Sequence, residues 1–162
     1  MTDMKTAFAG AAAAAALLVS TPAFAQNIVA DHAQVQSALQ DAGFRAEIEG
    51  EGADRFISSG SSGYNFGVFF YGCNDAGEEC KTVQFYAAFT PTKKPTLKQM
   101  NEYAMNHRWG RVYIDAEGDP VIEMDVDLED GGMSPELFKD NIEYWSAVMN
   151  AYAEWVFDNA EG

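Results

Sequence analysis

The chain has 162 residues and a formal net charge of −15, with 25 acidic residues against 10 basic ones, 13% aromatic residues and only two cysteines and two histidines. Charge of that sign repels phosphate backbones and anionic headgroups, so no nucleic acid is expected as a partner; a basic protein, a cationic peptide or divalent cations would be attracted, and solubility alone is the plainest use of the acidity. Two cysteines fall short of the four soft ligands of a structural zinc site, and His32 and His107, without an HxxxH or HxxE companion, fall short of the three protein ligands of a zinc enzyme.

The first 25 residues read as a cleavable export signal. Lys5 supplies the positive charge, Ala7 to Val19 form an uncharged apolar run, Ser20-Thr21-Pro22 break it, and Ala23-Phe24-Ala25 provide the small residues of a peptidase site. The run is about 13 residues, whereas a bilayer span takes roughly 20, and no later stretch approaches that length. No membrane span is expected after cleavage, and no cysteine lies near the site to carry a lipid. Residues 26–162 then form a single domain, periplasmic or secreted, and the small cleavage site suits a bacterial precursor. Because Asp3 and Lys5 cancel, the acidity belongs entirely to that domain.

Spacing of apolar residues predicts a helix over 28–39 ending at Gly43, then a strand over 44–49 with Phe44, Ala46 and Ile48 on one face. A turn at Gly50-Glu51-Gly52 and a short strand over 54–58 lead into Ser59-Gly60-Ser61-Ser62-Gly63, read as a turn or loop. Residues 64–71 and 82–89 are aromatic and β-branched runs flanking a turn bounded by Cys73 and Cys80, which predicts a hairpin in the middle of a sheet. In an oxidising compartment those two cysteines form a disulfide, worth ~2–3 kcal/mol on a chain-entropy model.

After a proline- and lysine-bearing connection, Thr96 and Gln99 match a capping box, with Leu97, Met100 and Ala104 on one helical face. A second hairpin joins 109–115 to 121–128; in its second arm Ile122, Met124, Val126 and Leu128 point one way and Glu123, Asp125, Asp127 and Glu129 the other. The last helix opens on Ser134 and Pro135, and Phe138, Ile142, Trp145, Met149, Tyr152 and Val156 make a stripe that packs on the sheet or serves as a groove for a partner helix or a second copy.

The acidic row Glu123, Asp125, Asp127, Glu129 and Asp130 reads as a solvated strand face, with metal binding and acid/base chemistry as alternatives; it fails the EF-hand pattern because Asp130 stands where glycine is required. No G-x-S-x-G elbow or phosphate loop is present, so no catalytic, cofactor or metal residue is assigned. A hydrolase would need His107 beside a carboxylate or hydroxyl. The aromatic group Tyr64, Phe66, Phe69, Phe70, Tyr71, Phe85, Tyr86 and Phe89 divides between sheet core and a surface that stacks on a sugar or peptide.

The segment from Asn101 through Trp109-Gly110-Arg111-Val112-Tyr113-Ile114-Asp115, followed by Gly118-Asp119-Pro120-Val121, Met124-Asp125 and Gly131-Gly132, resembles a YbjN-domain protein. The family commonly shows Trp-Asn where this chain has Tyr103-Ala104. The resemblance implies an α+β fold with an antiparallel sheet, in the order α, three or four strands, α, two strands, α, like that of type III secretion chaperones; it carries no activity with it. The expected function is an exported, non-enzymatic domain that binds a protein or peptide, or a second copy of itself, through the sheet face or the C-terminal helix. The competing expectation is a divalent-cation or small-ligand binder using the acidic strand 123–130.

Overall fold

The computed structural model describes residues 26–161. The export signal expected over residues 1–25 therefore lies outside the described residues.

Ile28 and Ala30 do not start a helix. They make isolated antiparallel bridges to Met133 and Cys80. Helix α1 (His32–Asp41) begins where Asp31 caps it, the carboxylate accepting the Gln34 N–H at 3.0 Å. The helix thus starts later than expected, because an aspartate is a far better cap than the apolar residues before it.

Six strands follow: β1 (Ala46–Glu49), β2 (Phe56–Ser61), β3 (Tyr64–Tyr71), β4 (Thr82–Ala88), and, after helix α2 (Leu97–Asn106), β5 (Arg111–Ile114) and β6 (Pro120–Asp127). Helix α3 (Pro135–Glu161) closes the chain. All strands pair antiparallel in the order β1-β2-β3-β4-β6-β5, an α+β architecture with the aromatic hairpin β3–β4 at its centre.

The serine- and glycine-rich stretch is not a loop. Ser59, Gly60 and Ser61 belong to β2 and pair with Phe66, Asn65 and Tyr64. Only Ser62 and Gly63 turn, at φ 52° and 89°, the two successive positive angles that suit a tight hairpin. Composition misleads here because these hydroxyls are satisfied inside the fold: Ser59 donates to the Arg45 carbonyl at 2.6 Å, and Ser61 meets Ser146 of α3 at 2.8 Å.

Helix α2 has its capping box, but it buries Met100 and Tyr103 and leaves Leu97 and Ala104 outside. The helix is turned so that the Tyr103 ring packs against Tyr152 and Trp155 of α3, at 5.0 and 4.7 Å between centroids. A large ring gains more by burial than a leucine at a helix start.

Helix α3 fits its expected role. Ser134 Oγ accepts the Leu137 N–H at 3.2 Å, and Phe138, Ile142, Trp145, Met149, Tyr152 and Val156 are all fully buried. The Trp145 indole sits against Phe66 and Phe85, with centroids 5.7 and 5.6 Å away. These six residues are closed off inside the core and line no groove, while Leu137 and Tyr144 beside them stay about half exposed. One sheet face carries most of the core: Ile57, Val68, Phe85 and Met124 lie in register across β2, β3, β4 and β6 and are buried, while Val121, also fully buried, lies on the other side of β6.

Candidate functional site

Strand alternation sends every second residue to the other face. There Ser58, Gly67, Tyr86, Glu123 and Arg111 form one rung across five strands, Phe69, Gln84 and Asp125 the next, and Tyr71, Thr82 and Asp127 a third. The ring contacts from the helices go to the core face instead: His32 to Phe70, Trp145 to Phe66 and Phe85, Tyr152 and Phe157 to Phe89. The second face is the candidate site.

Its aromatic residues touch one another. Phe56 stacks on Phe69 at 5.3 Å, and Phe69 meets Tyr86 edge-on at 5.8 Å. Gly67 makes room for this arrangement, since a Cβ there would stand 2.8 Å from the Phe69 ring. Tyr71, about half exposed, donates its hydroxyl to Gln84 at 3.2 Å, and Gln84 donates in turn to Asp125 at 2.8 Å. Of the aromatic group expected to divide, Phe69, Tyr71 and Tyr86 face outward, while Tyr64, Phe66, Phe70, Phe85 and Phe89 serve the core. Phe56 and Tyr113 complete the outer set. Sequence reasoning missed them, although the period of two along β2 and β5 marks them.

The acidic row is not uniformly solvated. Glu123 is only 5% exposed; it pairs with Arg111 and accepts the Tyr113 hydroxyl at 2.6 Å. A carboxylate in the middle of a sheet is tolerable there because both oxygens are paired. Asp125 and Asp127 are exposed, and Glu129 pairs with Lys81 at 2.6 Å. The row does not converge on one point, and among the described residues no group of three or more His, Cys, Asp or Glu is placed to hold a metal ion.

Electrostatics over the face is negative. By alternation it carries Glu47, Glu49, Glu123, Asp125 and Asp127 against Arg45 and Arg111, and each arginine already has a glutamate partner. Burial pushes the Tyr86 phenol up, and Asp115, Glu123, Glu117 and Asp119 push it further. Tyr71 is raised by burial and then by Glu123 and Asp125, with Arg111 opposing.

Cys73 and Cys80 form a disulfide across the β3–β4 turn. Within that turn the Asn74 side chain accepts the Ala76 and Glu78 N–H groups, both at 3.0 Å. His107 caps the end of α2: its ring stacks on Tyr103 at 3.8 Å and its Nδ1 lies 2.9 Å from the Tyr103 carbonyl, a backbone partner rather than a catalytic one. His32 is buried against Phe70, with Nε2 3.4 Å from the Arg55 carbonyl.

A family model described as "YbjN: Putative bacterial sensory transduction regulator" matches residues 31–158. The chain belongs to the YbjN family. No curated protein and no solved structure matches it. The match begins at Asp31, the cap of α1, and ends within α3, so the YbjN domain contains all six strands and the open face.

Proposed function

We propose that this YbjN domain is an exported, non-enzymatic binding module that holds a segment of another polypeptide on its open sheet face. The observation that carries the reading is the outward aromatic set Phe56, Phe69, Tyr71, Tyr86 and Tyr113, held in fixed positions by register and ring contacts on a face that the helices leave uncovered. Rings held this way contribute contact area at small entropic cost, as in many protein-binding surfaces. The chemistry on that face supports binding over turnover, because its buried carboxylate is committed to Arg111 and Tyr113. Export is supported by the leader-like first 25 residues and by the disulfide.

Site-directed photo-crosslinking in native cells tests the reading. A photoreactive residue at position 86 or 71 gives a discrete adduct with a second protein, and one at Tyr144, exposed on α3, gives none. Equal yields from both positions, or none from the sheet, would overturn it. Export is checked separately by cell fractionation and by sequencing the mature N-terminus, expected at Gln26; a protein retained in the cytoplasm with its first 25 residues attached would refute that part.

A further inference from the structure

We infer that the segment held on the open face is basic and extended, with lysine or arginine at alternate positions running along β4 and β6. The inference rests on the reading of that face as a polypeptide-binding surface and adds the chemistry of the partner.

Three observations on the face choose this occupant. Asp125 and Asp127 stand two residues apart on β6, exposed and on the same side. Alternate side chains on a strand are about 6.5–7 Å apart, the same spacing as in an extended segment lying parallel to it. Tyr86 on β4 stands opposite Glu123, one rung from Asp125, and Tyr71 on β3 shares the rung of Asp127 with Thr82 between them and reaches Asp125 through Gln84. An ammonium or guanidinium set over such a ring and reaching an adjacent carboxylate gains from both.

The second observation is the sign of the charge. Arg45 and Arg111 are neutralised by Glu47 and Glu123, which leaves the face with unpaired negative charge and no free cation of its own among its strand residues. The turn between β5 and β6 extends that field: Asp115, Glu117 and Asp119 all act on Tyr86, and Lys94 offsets only Asp119 at 2.7 Å.

The third is what the same sign turns away. A second copy would set this negative face against its like, and a nucleic acid would offer its bases to the rings only by bringing phosphates among carboxylates. A basic polypeptide meets neither obstacle.

The test is a titration of isotopically labelled protein followed by backbone amide shifts, using three decapeptides of alternating Lys-Thr, Gln-Thr and Glu-Thr. The Lys-Thr peptide is expected to shift the amides of β4 and of the residues after Pro120 in β6 selectively and to bind at least tenfold more tightly than the other two. Its affinity falls with added sodium chloride, and falls about tenfold in the double variant Asp125→Asn, Asp127→Asn, whose fold is checked by its unperturbed core amide shifts. Equal binding of the Gln-Thr peptide on this face would overturn the basic class while leaving the face itself as a binding surface. Shifts confined to other surfaces, or none with any peptide, would overturn the inference and the face together.

Discussion

At the scale of single residues, polar groups in unexpected places define this protein's character. Glu123 was legible as one of a solvated row, yet β6 is an inner strand, and its neighbours Arg111 and Tyr113 close over the carboxylate. His32 is similar: it sits on the apolar side of α1, stacked on Phe70. Burial lowers its pKa below the usual 6.5, helped by the Arg55 charge, while the Arg55 carbonyl, Asp31 and Glu78 oppose. A histidine with a lowered folded pKa binds fewer protons folded than unfolded, so its contribution to stability is complete above the unfolded value and is lost as pH falls through about 6.5 toward the lower folded one. The urea midpoint should therefore drop between pH 7.5 and 5.5 more steeply in the natural protein than in a His32→Gln variant. Parallel pH profiles would show that His32 stays accessible to protons in the folded state.

At the scale of elements, local sequence grammar located most of the parts. The capping box at Thr96, the Ser134 cap, and the α3 stripe with spacings of three and four all stand where the sequence put them, because these signals act within one or two turns of chain. Grammar failed where a tertiary contact competed with it, as in the serine-rich half of β2 and in the orientation of α2, which is set by Tyr103 meeting α3. The stapled turn is an element with two kinds of support. Besides the disulfide, Asn74 organises its backbone and Arg55 donates to the Gly77 carbonyl at 3.2 Å. Replacing both Cys73 and Cys80 by serine should lower stability by ~2–3 kcal/mol in denaturant titration without unfolding the domain. A change under about half a kcal/mol would show that the turn's hydrogen bonds suffice to hold it.

For the molecule as a whole, acidic residues outnumber basic ones by 25 to 10. A formal charge of −15 on one small domain repels itself, and few of the described ion pairs are more than surface contacts. The melting temperature should rise as sodium chloride is raised from about 10 to 150 mM, over which the screening length shrinks from roughly 30 to 8 Å. A fall would mean that pairs such as Lys81–Glu129 outweigh the repulsion. The sequence by itself determined the α+β class, the order of elements, the central hairpin with its disulfide, and the family to which the YbjN model then assigned the chain. The element order and the hairpin follow from periodicity, caps and spacing, all local in the chain; the disulfide follows from the compartment that the leader implies, and the family from the resemblance of residues 101–132. Tertiary structure alone decided that α1 and α3 share one sheet face and leave the other open, which of the aromatic side chains face outward, and that Glu123 is buried while Asp125 and Asp127 are not. A strand's alternation tells which residues share a side, but which side is covered depends on helices arriving from elsewhere in the chain.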